Sequence, residues 1–139
     1  LDHLRAIHKH LFRDLYEWAG EIRRVEIAKG GDQFQFSRFI RTGMANVHAR
    51  VIQMSYLTGL HRNKFAREAG RIVGDVNYIH SFREGNGRVQ LQYLSQLAAN
   101  AGHPIDLSRI DPERWLAASR AAFRAEHEPM AMEIERIIE

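Results

Sequence analysis

The sequence predicts an all-α fold that carries one short β-hairpin. Three observations lead there. Most of the chain repeats apolar residues every three or four positions, the spacing of one buried helix face. One stretch, RRVEIAKGGDQFQF, alternates with period two instead, the mark of a strand pair. And one segment, HSFREGNGR from His80 to Arg88, suits neither element and sits between two helical patterns.

Taken in order, Leu4, Ile7, Leu11 and Leu15 predict a helix from about Asp2 to Trp18, ended by Gly20. Val25 and Ile27, then Phe34 and Phe36, predict two strands within a hairpin of about Arg24 to Phe36. Lys29-Gly30-Gly31-Asp32 between them can supply the positive φ angles of a tight turn. With no other sheet to join, at least one edge of this hairpin is left free. Ser37 is placed to cap a helix running to about Thr58, with Ile40, Val47, Val51 and Met54 on its apolar side. Gly59 interrupts it. The next helix covers about Asn63 to Ile79 and buries Phe65, Ala69, Ile72, Val76 and Ile79. A helix resumes after Gly87 through Val89, Leu91, Leu94, Leu97 and Ala98, and stops at Gly102. Asp111-Pro112-Glu113 combines a cap, a first-turn proline and an acid near the positive helix end, and starts a helix reaching about Arg124. A last helix holds Met130, Met132, Ile134, Ile137 and Ile138.

Composition narrows the function classes. The 139 residues are read as one domain, 1–139, long enough for a hydrophobic core; the opening Leu1 suggests a piece of a longer chain. With no cysteine, disulfides and thiolate metal sites are excluded. No apolar run approaches the ~20 residues of a membrane span, so no membrane partner is expected. A net charge of +3, without a basic cluster interleaved with aromatics, gives no reason to expect nucleic acid. His3, His8 and His10 lie close in sequence, but His8 is badly placed to join the other two on a helix face and no acid completes a metal site.

The chemistry concentrates in HSFREGNGR. Gly85, Asn86 and Gly87 open a helix, where unpaired backbone N–H groups and the helix dipole favour an anion. Arg88 adds a planar fork of donors for phosphate oxygens. Glu84 beside such a cradle can hold a divalent cation against bound phosphates, and Mg²⁺ commonly takes one or two carboxylates with phosphate oxygens. His80 is the one group that exchanges a proton near neutral pH. Together they suggest a nucleotide polyphosphate site with Mg²⁺ and a histidine base for a hydroxyl nucleophile. Singly, each residue has a plainer reading: a turn, a helix end, a surface Glu84–Arg88 pair, and Phe82 as a core anchor.

At these residues the chain resembles the Fic family, whose signature is His-x-Phe-x-Asp/Glu-Gly-Asn-Gly-Arg. HSFREGNGR matches every defined position, with Ser81 where proline is common. LFRDLYEWAGEIRRVEIAKGG is similar to the region that precedes the motif in that family. The resemblance implies a Fic-type helical bundle with a β-hairpin flap over the active site. It implies a protein nucleotidyltransferase, in the usual case moving AMP from ATP to a Ser, Thr or Tyr hydroxyl of a target protein with release of pyrophosphate. His80 would be the catalytic base, Glu84 the Mg²⁺ ligand, Gly85, Asn86 and Gly87 the anion hole, and Arg88 the ligand of a β-phosphate oxygen. The target would pair with the flap, where Lys29 and Gly30 are candidate contacts to nucleotide or target; a solvated turn is the other reading of Lys29. Leu91 stands where many members carry a second arginine, which binds the γ-phosphate or pairs with an inhibitory glutamate. That departure keeps open an altered scaffold that transfers another nucleotide or group, such as phosphate or phosphocholine, or only binds. The glycine at Gly87 argues against the kinase-type relatives, which have lysine there. No inhibitory-helix motif occurs in the chain, so one would lie outside it or on a separate antitoxin. The bacterial cytoplasm is the expected location, or a host cytosol for a secreted effector.

Overall fold

The computed structural model describes residues 1–139. Six helices and one two-stranded hairpin follow in chain order: α1 Asp2–Phe12, β1 Ala28–Lys29, β2 Asp32–Gln33, α2 Ile40–Gln53, α3 Arg62–Ile79, α4 Asn86–Asn100, α5 Pro112–Phe123 and α6 Glu128–Ile137. This is the helical bundle with a small hairpin that the sequence predicts. α3 is the axis of the bundle: its residues Phe65, Ala69, Ile72, Val73 and Val76 are buried, and α2, α4, α5 and α6 all pack against it. α1 packs on α4, and its buried residues Leu4, Ile7 and Phe12 join the same core.

Local chemistry explains several boundaries. Asp111 caps α5 as its sequence implies, accepting from the N–H groups of Glu113 at 3.0 Å and Arg114 at 3.2 Å. Ser37 does not cap α2. Ser37–Phe39 form a 3₁₀ turn, and Glu26 reaches across from before the hairpin to accept from the Ser37 N–H at 2.8 Å. α2 ends at Gln53 rather than near Thr58, because Ser55, Tyr56 and Leu57 take positive φ and turn the chain left-handed.

Further expectations need correction. α1 stops at Phe12, not Trp18, and Leu15 is exposed. The chain leaves the helix because Gly20 N–H bonds to the buried ring of His8 at 2.8 Å and Tyr16 stacks on Trp18 at 4.4 Å between centroids. The hairpin strands are two residues each, with Ala28 opposite Gln33 and Lys29 opposite Asp32. Gly30 and Gly31 supply the positive φ values of the turn, 58° and 85°. Of the four alternating residues, Phe34 is buried while Val25 and Phe36 are about half exposed. A lone two-stranded ribbon has no sheet face to bury, so the period-two signal overstates its length. In α6, Met132 also faces outward, contrary to its place in the apolar pattern. No helix is long and apolar enough to cross a membrane.

Candidate active site

The site forms at the corner between α3 and α4. α3 ends at Ile79, and His80 turns the chain with φ 49° and ψ 64°, a left-handed conformation that costs a non-glycine residue about 1–2 kcal/mol. Its N–H still bonds back to Val76 O at 3.0 Å. Strain of this kind persists where the surroundings over-determine the backbone, and functional sites are where it clusters. The His80 ring stacks on Phe34 of the hairpin, 3.8 Å between centroids and 13° between planes. Nδ1 lies 3.1 Å from Asn77 O. A carbonyl only accepts, so Nδ1 carries the proton and Nε2 keeps a free lone pair. Burial lowers the His80 pKa to about 4; the Asn77 carbonyl works against that fall, and the charges of Arg23 and Lys29 add to it. At neutral pH the ring is therefore an uncharged base.

The loop after His80 is closed by its own asparagine. Asn86 Nδ2 donates to Phe82 O at 2.7 Å, and Phe82 N–H donates to Asn86 Oδ1 at 3.0 Å. The Asn86 side chain is thus spent inside the loop, and what it offers outward is its backbone N–H. Phe82 is fully buried, as a core anchor should be, and stacks on His8 at 4.1 Å. Gly85 has φ 82°, and a Cβ there would lie 2.4 Å from Phe12 Cε2, so both backbone and packing require glycine. A Cβ on Gly87 would meet nothing within 4 Å, so this glycine leaves the space in front of the helix open. Val89 N–H is the first in α4 to bond back, to Gly85 O at 3.1 Å. The N–H groups of Asn86, Gly87 and Arg88 have no protein partner and face one region at the positive end of a four-turn helix.

The charged residues frame that region. Arg88 is exposed, its guanidinium 5.9 Å from the centre of the Phe12 ring. Glu84 is exposed too and makes no ion pair with Arg88, which removes the surface-pair reading. Its carboxylate accepts from Tyr16 O–H at 2.9 Å, a bond that raises the Tyr16 pKa. Its backbone carbonyl accepts from His8 Nε2 at 2.9 Å. Since Gly20 N–H occupies His8 Nδ1, the buried His8 is neutral, and burial holds its pKa down. Lys29 and Gly30 lie exposed at the hairpin tip with no hydrogen bond to the motif; Lys29 reaches His80 only through its charge. Leu91, one turn beyond Arg88, is partly buried and brings no charge.

Sequence reasoning assembles His80, Glu84, Gly85, Asn86, Gly87 and Arg88 at one corner, and the fold does place them together. It misses His8, Tyr16 and Arg23, the side chains that hold the corner in place.

A helical bundle with a glycine-rich helix start, a neutral histidine at the preceding corner and a hairpin laid on that histidine defines a Fic-type domain. The Fic/DOC family profile matches residues 1–98, and the chain belongs to that family. The chain is 37% identical to "Probable protein adenylyltransferase y4lH" of Sinorhizobium fredii over 98% of its own length and 71% of that protein. It is equally 37% identical to the protein adenylyltransferase VbhT of Bartonella schoenbuchensis over 98% of its length, but it spans only 28% of VbhT. In structure it is similar to the N-terminal Fic domain of a VirB-translocated Bep effector protein from Bartonella quintana, solved with bound ADP. The TM-score is 0.90, with 30% identity over 99% of this chain and 72% of that one.

Proposed function

We propose that the chain is a protein nucleotidyltransferase that moves AMP from ATP to a Ser, Thr or Tyr hydroxyl of a target protein, with residues 1–139 acting as one Fic unit. The observation that carries this reading is the neutral His80 ring, its Nε2 lone pair free, at the same corner as three unpartnered N–H groups. The target hydroxyl gives its proton to His80 Nε2 as its oxygen forms a bond to the α-phosphorus. The bond from the α-phosphorus to the oxygen bridging to the β-phosphate breaks, and pyrophosphate leaves. The N–H groups of Asn86, Gly87 and Arg88 stabilise the charge that gathers on phosphate oxygens, and the Arg88 guanidinium holds a β-phosphate oxygen. Positioning and charge stabilisation then supply most of the acceleration.

The residues fit Mg²⁺. Glu84 presents a hard, exposed carboxylate, and no cluster of three acids or histidines stands by it, which suits an ion that takes one carboxylate and completes its shell with phosphate and water oxygens. Bound there, Mg²⁺ would neutralise phosphate charge, while Tyr16 holds the carboxylate oriented. The target docks as an extended segment along the hairpin, whose short strands leave edge groups free, with Lys29 and Gly30 near the nucleotide or target. The identification of relatives as adenylyltransferases supports ATP as donor. Leu91 offers no cation, so the γ-phosphate adds little to donor binding, and an antitoxin with an inhibitory helix would need another anchor. The bacterial cytoplasm is the proposed place of action, with a host cytosol the alternative that the effector likeness supports.

The test is transfer of label to protein in a cell lysate from ATP labelled on either the α- or the γ-phosphate, with Mg²⁺. With His80→Ala run beside it, AMP transfer predicts His80-dependent protein label from α-labelled ATP only. His80-dependent label from γ-labelled ATP would mark a kinase, and none from either would leave a binding scaffold or the transfer of another nucleotide or group.

A further inference from the structure

We infer that Arg23 is a positioning residue that locks the hairpin and the His80 backbone into one unit, so that the base and the docked hydroxyl keep a fixed geometry.

Arg23 is 2% exposed, although arginine is almost never fully buried without partners. Its partners are four backbone carbonyls. Nε donates to His80 O at 2.7 Å and Nη1 to Val25 O at 2.7 Å. Nη2 donates to Gln35 O at 2.5 Å and to Ile79 O at 3.1 Å. Two of these carbonyls sit on the two arms of the hairpin, before β1 and after β2. The other two are the last carbonyl of α3 and that of the strained residue His80 itself. The main chain adds two ties in the same direction: Arg23 N–H to Ser81 O at 3.0 Å and Gln35 N–H to Tyr78 O at 3.0 Å.

The placement answers a physical need at each end. Terminal helix carbonyls lack partners and carry the negative end of the dipole, which a cation satisfies. The hairpin has two-residue strands and no sheet to join, and such ribbons are marginal alone. Only a planar fork of five donors meets four carbonyls from three directions; an ammonium with three donors on one atom does not. The one acid beside Arg23 is Glu26, at 3.6 Å and half exposed, so the guanidinium is held by carbonyls more than by charge pairing.

By contrast, none of Arg23's hydrogen bonds reaches the phosphate cradle. The cradle is built from α4 and closed by Asn86 on Phe82. Loss of Arg23 should therefore separate two properties that a general loss of structure would damage together. This role rests on His80 being the base, and the experiment keeps the two ideas apart.

Arg23→Lys and Arg23→Gln are compared with the unaltered chain for ATP binding by calorimetry and for turnover of AMP onto protein. In the unaltered chain, hydrogen exchange of the Arg23 Nε–H is followed by NMR. Expected is a turnover loss of roughly tenfold or more in Arg23→Lys and more in Arg23→Gln, with the ATP Kd within about threefold. The Arg23 Nε–H should exchange on the order of a hundredfold more slowly than in free arginine. A folded Arg23→Lys with normal turnover, or with ATP affinity falling in step with turnover, overturns the inference. If neither variant folds, the Nε–H decides: slow exchange supports the lock and free exchange contradicts it. If the unaltered chain shows no His80-dependent transfer, the function reading fails, and the exchange rate still judges the lock.

Discussion

In the corner between α3 and α4, Asn86 and Phe82 exchange two hydrogen bonds, His8 holds the Glu84 carbonyl, and Tyr16 holds its carboxylate. In the hairpin beside it, two strands of two residues are exposed and only Phe34 is buried. The first region fixes nearly every polar group on which phosphate chemistry depends. The second leaves main-chain edges open and is anchored chiefly through Phe34, the Arg23 side chain and the Gln35–Tyr78 main-chain bond. The contrast suits an enzyme whose donor is constant and whose acceptor is a polypeptide. Catalytic groups gain from preorganisation, whereas recognition by strand pairing needs an accessible backbone and little side-chain code.

Substitutions can break that contrast or sharpen it. Gly85→Ala should have the largest effect, since it forces both a positive φ and a clash with Phe12. We expect about 2–4 kcal/mol of lost stability from strain plus overpacking, read as a fall in the denaturation midpoint, with loss of transfer. Lysine or alanine at the exposed hairpin glycine Gly31, where a Cβ meets nothing, carries only the strain and should leave ATP binding intact. Next in size, Arg88→Ala should weaken ATP binding roughly 10- to 100-fold, the worth of a charge-assisted hydrogen bond, with little change in stability because Arg88 is exposed. Unchanged affinity would contradict its phosphate contact.

The pH dependence has a definite sign. His80 titrates at about 4 in the folded chain, against an ordinary value near 6.5. Between those values the unfolded chain binds more protons, so stability is fully present above about 6.5 and falls as pH drops toward 4. The buried, neutral His8 acts in the same direction. Transfer rate, measured against pH on the free enzyme, should likewise fall with a midpoint near 4, and a midpoint at 6.5 or above would place His80 in solvent instead. The smallest effect belongs to Ser81, whose buried hydroxyl has no partner. Ser81→Ala should stabilise the chain by about 1 kcal/mol, the order of an unmet polar group, without altering transfer.

How much of this was legible depended on distance along the chain. α3, α4 and α5 are predicted to within a residue or two, because helical periodicity, the Asp111 cap and the glycine punctuation are local signals. The motif residues were legible for the same reason: they lie within nine positions. The predicted α1 runs too long because Leu15 keeps helical spacing, yet the Gly20–His8 and Tyr16–Glu84 bonds draw that segment away. The supporting residues were invisible locally. His8 meets Glu84 across 76 positions and Arg23 meets His80 across 57, and no periodicity encodes such pairs. Asn86 is expected among the anion-binding groups, and its backbone N–H still faces that region; that its side chain also closes the loop follows only from the folded geometry.

The most direct test of the central claim compares His80→Ala with the unaltered chain, measuring ATP affinity and AMP transfer on the same preparations. The cradle does not use the imidazole, so ATP affinity should stay within about threefold while transfer falls by at least about a hundredfold, the usual worth of a positioned general base. Full transfer by the folded variant would contradict the account, because the reaction would then proceed without His80 as base.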